Sequence, residues 1–113
     1  MTYDDVRKMA LAWPGVEDGT SYGTPALKVK GKFLARLKED GDSLVIKDVE
    51  FDERDMLMEA SPNVFYITDH YKGYPMVLVR LSKAHPKQVK PLLFRSWKAT
   101  APKSLVKAYE KES

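Results

Sequence analysis

Residues 26–38, Ala-Leu-Lys-Val-Lys-Gly-Lys-Phe-Leu-Ala-Arg-Leu-Lys, hold the pattern from which the fold is read. Ala26 to Val29 form a short run after Pro25, and Lys30-Gly31 supplies a turn. Phe33, Ala35 and Leu37 then alternate with Leu34, Arg36 and Lys38. A period of two is that of a half-buried strand, so the stretch predicts a β-hairpin. Leu27, Val29, Phe33, Ala35 and Leu37 make its inward set, and Lys28, Lys30, Arg36 and Lys38 turn outward. A sheet with one apolar face needs a layer of helices to cover it.

Helical patterns flank the hairpin. Upstream, Thr2 and Asp5 form a capping-box-like pair, and Tyr3, Val6, Met9, Ala10 and Trp13 recur at helical spacing until Pro14-Gly15 stops them. Val16 to Thr24 reads as a polar link. Downstream, Glu39 to Asp42 is a turn, Leu44 to Lys47 a third short strand, and Asp52 with Asp55 opens a short helix that ends at Ser61-Pro62-Asn63. Val64 to Thr68 and Met76 to Leu81 read as two more strands, the second more hydrophobic and therefore central. Pro86 suits a first helical turn, Val89, Leu92, Leu93 and Trp97 give that helix an apolar side, and Pro102 restarts a last helical piece. The expected architecture is α+β: two layers, a five-stranded antiparallel sheet in the order α-β(3)-α-β(2)-α(α), with the helices on one face.

A chain of 113 residues suits a single domain over 1–113. With 43% hydrophobic and 31% charged residues, a packed core is expected rather than a disordered tail. The absence of cysteine removes disulfide scaffolds, thiolate zinc sites, iron–sulfur clusters and cysteine nucleophiles together. No stretch approaches the roughly 18 apolar residues of a membrane span, so a cytoplasmic protein with no membrane partner is expected.

The charges separate along the chain. Residues 39–69 hold ten acidic and two basic residues, whereas residues 70–109 hold nine Lys/Arg and no acid. Such a block attracts a phosphate backbone, or it is a solvated face that pairs with the acidic block; the sequence leaves both open. Lys47 and Arg80 share the outward face of the hairpin cations if Val45 also points outward, and Lys72 lies in the loop between the last two strands. On the long late helix Lys87, Lys90 and Lys98 fall near one side, with Lys83 just before it. Lys28, Lys30, Arg36, Lys38, Lys47, Lys72, Arg80, Lys83, Lys87, Lys90 and Lys98 are therefore the candidate nucleic-acid contacts.

Catalytic chemistry finds little support. The two histidines, His70 and His85, lie in no metal-ligand spacing, and each reads as a surface or capping group. The acidic run from Asp48 to Asp55 lacks the glycine and terminal glutamate of a calcium loop, and a helix start that favours negative charge explains it more simply. No catalytic residue, metal or cofactor is expected. Two other readings are a protein-interaction surface using outward Leu34, Tyr66 or Met76, and a small-ligand site where Thr20 to Pro25 faces His70 to Pro75. At the latter, plain loop packing is the simpler account.

Leu11-Ala-Trp-Pro-Gly-Val-Glu17, Tyr22-Gly-Thr-Pro25 and Lys28-Val-Lys-Gly-Lys-Phe33 resemble the MmcQ/YjbR family of small bacterial proteins. The likeness continues through Phe65-Tyr-Ile-Thr-Asp-His-Tyr-Lys-Gly-Tyr-Pro75, Val79-Arg-Leu81, Ser96-Trp97 and Ala101-Pro-Lys103. Where many members place His-Trp before the last strand, this chain has Tyr74-Pro75. The resemblance implies a two-layer fold similar to type III secretion chaperones, and a non-enzymatic, DNA-binding role without evident sequence specificity; a chaperone-like module that grips a protein partner is the alternative. It implies no catalytic residue.

Overall fold

In the computed structural model, which describes residues 1–112, the chain forms six strands and four α-helices. Ser113 of the expected 1–113 domain lies outside the described residues. The helices are α1 (Tyr3–Leu11), α2 (Phe51–Ala60), α3 (Pro86–Thr100) and α4 (Lys103–Glu112). The strands are β1 (Val16–Ser21), β2 (Thr24–Val29), β3 (Lys32–Leu37), β4 (Ser43–Lys47), β5 (Phe65–Tyr66) and β6 (Met76–Arg80). They form one sheet in the order β1-β2-β3-β4-β6-β5. All neighbours pair antiparallel, so the α+β class is as expected.

The sheet has six strands where five were expected, because the polar link is itself a strand. Tyr22 and Gly23 both take positive φ, 53° and 78°, as do Lys30 and Gly31 at 50° and 81°. Two successive left-handed residues make the tight turn whose twist matches a hairpin, so the same device closes β1–β2 and β2–β3. β1 shows no apolar alternation because it lies at the sheet edge, and its Asp18 is held by Arg7 of α1 at 2.8 and 2.7 Å. The strand expected over Val64 to Thr68 is only two residues long. β6, expected to be central, is paired on both sides.

A second correction concerns the hairpin faces. Leu27 pairs with Ala35 and Lys28 with Phe33, so Leu34 is an extra residue in the ladder. A bulge of this kind re-aims the side chains around it. Leu34 is fully buried with the helices, while Phe33 packs on the opposite face with Val45 and Leu78. Lys30 sits in the turn rather than on a strand.

All four helices contribute to the large apolar cluster on one sheet face, where Leu27, Val29, Leu44, Ile46, Val77 and Val79 point. Trp97 is wholly buried in it, and its indole N–H donates to the Pro14 carbonyl at 2.9 Å. Trp13, Phe94, Trp97 and Tyr109 stack together and so join α3 and α4 to the end of α1. Two of the expected helix starts are capped: Thr2 and Asp5 make a reciprocal box on α1, and His85 accepts from the Lys87 amide at 3.1 Å to start α3. By contrast α2, expected to open at Asp52 with Asp55, begins at Phe51 after Glu50 with no side-chain cap.

Candidate functional site

The sheet face opposite the helices is covered by one loop, residues 67–75. Its Tyr71 ring is buried beside Val45 and Leu78. Two arginines fix this arrangement. Arg54, at 4% exposure on α2, has no carboxylate partner among the described residues and donates instead to three loop carbonyls and to that of Met76, the first residue of β6. Nη1 reaches Tyr74 O at 2.7 Å, Met76 O at 3.2 Å and Tyr71 O at 3.3 Å, and Nη2 reaches Lys72 O at 3.0 Å. The Phe51 ring lies 4.8 Å from its guanidinium. A planar cation with several divergent donors suits such a task, and the carbonyl dipoles offset part of the desolvation.

Arg36, at 7% exposure on β3, is the second. Its Nη1 donates to Thr24 Oγ1 and to Glu39 Oε1, both at 3.2 Å, and its Nη2 donates to the Tyr71 hydroxyl at 3.2 Å. The Tyr22 ring lies 5.1 Å from the guanidinium. Burial works against the Arg36 charge, but the bonds to Tyr71 and Glu39 outweigh it and its pKa is raised. Next to it, the Asp40 carboxyl is partly desolvated, yet bonds from Ser43 and from the Asp42 and Ser43 amides hold its pKa below the usual range. Ser43 also bonds the Tyr66 hydroxyl.

Between the β1–β2 turn and the loop lie two adjoining recesses of about 390 and 340 Å³. Tyr22, Arg36, His70 and Tyr71 line both. Phe33, Val45, Tyr74 and Met76 line only the first, and Lys38, Glu39 and Thr68 only the second. The segments 20–25 and 70–75 thus do face one another, and a cavity separates them where plain packing was the simpler expectation. Arg54, which holds the loop, went unnoticed in the sequence; a lone arginine between acidic residues on a short helix was the signal.

The candidate cations divide between the two layers. Lys28, Arg36, Lys38, Lys47 and Arg80 belong to the loop-covered sheet face, and Lys72 to the loop itself. Lys38 lies over the Tyr71 ring at 5.7 Å, Arg80 over Tyr66 at 3.9 Å, and Lys47 is 3.7 Å from Asp48. Lys87, Lys90 and Lys98 are on α3, whose apolar side packs against the other face, so they point away from this set. Lys98 pairs with Glu110 at 2.8 Å, and Arg95 with Glu53 of the acidic block. Lys83 is exposed in the turn after β6. Of the apolar residues expected to face outward, Leu34 is in the core, Tyr66 lies under Arg80, and Met76 lines the recess. Among the described residues no group of three or more His, Cys, Asp or Glu is placed to hold a metal ion, and no helix is long and apolar enough to cross a membrane.

The YjbR family model matches residues 11–99, which include every strand, the loop and most of α3. The chain belongs to the YjbR family. Within curated proteins it is similar to an uncharacterised protein of Mycobacterium bovis and to uncharacterised proteins of two Mycobacterium tuberculosis strains. Each is 40% identical over 53 residues, which is 47% of this chain and 41% of the relative. The match therefore spans less than half the length of these relatives. No solved structure matches. For this YjbR-family chain, the loop-covered sheet face is the surface on which cations, rings and a cavity coincide.

Proposed function

We propose that the protein is a cytoplasmic, non-enzymatic DNA-binding module that uses its loop-covered sheet face and reads no particular sequence. Lys28, Lys38, Lys47 and Arg80, with Lys72 from the loop, contact phosphates. The rings of Tyr22 and Tyr74, 86% and 57% exposed, stack on unpaired bases, so single strands are preferred over duplex. The observation that carries this reading is the placement of three of the face's cations over tyrosine rings: Arg36 on Tyr22, Lys38 on Tyr71 and Arg80 on Tyr66. Cations held beside flat rings form the mixed surface that a flexible, base-exposing polyanion fits. Among the described residues no helix presents Arg, Asn or Gln in an array suited to base edges, which agrees with binding that tolerates any sequence.

The α3 lysines project from the other layer, and one strand of DNA does not lie on both surfaces at once. They add a diffuse field rather than contacts. A protein-interaction module has weaker support, because Leu34 is buried and Tyr66 is engaged by Arg80 and Ser43.

Fluorescence anisotropy with labelled single-stranded and duplex oligonucleotides at two salt concentrations tests the proposal. Lys28→Ala, Lys38→Ala and Lys47→Ala should each weaken binding and flatten its dependence on log salt by about one unit. Lys87→Ala and Lys90→Ala should leave the slope nearly unchanged. Absence of binding at low salt, or a larger loss from the α3 variants, overturns it.

A further inference from the structure

The twin recess has features that phosphate binding does not call for. A guanidinium has five N–H donors. Arg36 spends two from Nη1 and one from Nη2 on Thr24, Glu39 and Tyr71, which leaves Nε–H and one Nη2–H without a partner among the described residues. The buried polar atoms that lack a partner are the Tyr3 hydroxyl and Arg54 Nε, so Arg36 Nε is not sealed from solvent. Two neighbouring in-plane donors match the two oxygens of a carboxylate.

The charge around the recess is balanced for a monoanion. Arg36 and Lys38 are cationic, and Glu39, whose carboxyl is held below its usual pKa first by a backbone bond and also by Arg36, supplies one compensating negative charge. Ser21 and His70 add polar groups to the wall, and the rest of it is flat or apolar, with Tyr22, Phe33, Tyr74 and Met76 foremost. A volume of about 390 Å³ lies at the small end of the range for small-molecule sites.

The recess is also built in advance. Three partners pin Arg36, and four carbonyl contacts from Arg54 hold the loop that carries His70, Tyr71 and Tyr74. Little ordering entropy is left for a ligand to overcome. Tyr22 sits at φ 53°, where glycine or asparagine is less strained, so the turn alone does not account for a tyrosine there. Its ring, over Arg36, does.

We infer that this recess binds a small flat aromatic carboxylic acid, with its ring among Tyr22, Phe33, Tyr74 and Met76 and its carboxylate on the free donors of Arg36. The site shares Tyr22, Tyr74 and Lys38 with the surface proposed for DNA, and it differs in the ligand it takes. Its ligand is held by a partly buried pair, which salt screens far less than exposed phosphate contacts.

A titration followed by ¹H–¹⁵N correlation spectra tests it, with three probes: 1-naphthoate, 1-naphthamide and cyclohexanecarboxylate. Naphthoate should give saturable shifts at Tyr22, Arg36, His70 and Tyr74, and should bind at least about tenfold more tightly than either control. The control without charge tests the Arg36 contact, and the control without an aromatic ring tests the walls. Arg36→Lys keeps the charge but loses the paired donors, and should weaken naphthoate by about tenfold or more. Should that variant fold poorly, Tyr74→Ala decides, since Tyr74 contributes only its backbone to the Arg54 clamp. It should keep the fold and lose several-fold in affinity. The inference is overturned by equal binding of acid and amide, by shifts centred on the α3 lysines, by an unaffected Tyr74→Ala, or by no saturable shift at millimolar naphthoate. Raising salt should change naphthoate affinity little while DNA affinity collapses, so failure of one proposal is read separately from failure of the other.

Discussion

On the helix-covered face of the sheet, Leu34, Leu44, Ile46, Leu93 and Trp97 are fully buried and the packing is apolar. On the opposite face the cover is a single loop, and it is held by hydrogen bonds to two guanidinium groups. The charged side chains buried among the described residues are Arg36 and Arg54, and both serve that loop; no buried carboxylate accompanies them. Apolar packing is non-directional and holds the fold. Directional bonds to a cation place particular atoms, here the carbonyls and rings around a cavity, and leave room that a packed core would fill. The fold and the candidate site therefore rest on different forces within one sheet, and single substitutions should separate them.

The largest separation is expected at Arg54. Arg54→Met removes bonds to four carbonyls, at a cost of about 3 kcal/mol in urea unfolding. Amide exchange should accelerate across residues 71–76 while α3 keeps its protection. Arg54→Lys should recover only part, because a point charge does not reach divergent carbonyls as a planar fork does. Equal loss of protection in α3 would break the comparison, since the loop would then be part of the same cooperative core.

Adjacent residues on β3 give a smaller and sharper test. Leu34 lies under the helices and Phe33 on the loop side, half-buried. Leu34→Ala should cost about 3 kcal/mol through the cavity it leaves, and Phe33→Ala only about 1–2 kcal/mol, since that ring is not fully buried and packs against a smaller cluster. Denaturation midpoints measure both. The reverse ranking would mean that the bulge does not set the register described above.

The same pair shows how much of this could be read from the sequence. Periodicity and caps disclosed the helix layer, the two-layer class and the outward Lys28, Arg36, Lys38 and Arg80, because burial of an apolar stripe imposes a pattern on the residues themselves. It did not disclose the bulge, since one extra residue shifts the register without altering composition, and strict alternation placed Phe33 inward. β1 was missed because an edge strand need not alternate. The site was legible only as a meeting of two loops rich in tyrosine. Its organisers act across the chain: Arg36 reaches Tyr71, 35 positions away, and Arg54 reaches carbonyls 17 to 22 positions on. Side chains that bond to backbone place no demand on the identity of their partners, so no local motif records them. The α3 stripe was visible from spacing, but which layer it faced depended on the packing of Val89, Leu93 and Trp97.

Among the described residues each face has one buried side-chain polar atom without a partner, and the smallest prediction rests on that symmetry: Arg54 Nε on the loop side and the Tyr3 hydroxyl on the helix side. The Arg54 atom belongs to a guanidinium whose two other nitrogens hold four carbonyls, whereas the Tyr3 hydroxyl makes no hydrogen bond. Burial pushes the Tyr3 pKa up to about 12, with the Asp18 carboxylate adding to the rise and Arg7 opposing it. The folded value is above the unfolded one, so the folded state keeps the proton longer. Stability is therefore unaffected by this group below about pH 10 and falls as pH climbs through 10 towards 12. Tyr3→Phe removes both the orphaned hydroxyl and the titration, and should stabilise the protein by about 1 kcal/mol at neutral pH. It should also flatten the alkaline decline, as thermal unfolding at pH 7 and above pH 10 would measure. Loss of stability in this variant would show that the hydroxyl has a role, and the helix-covered face would then depend, like the loop-covered one, on a polar contact.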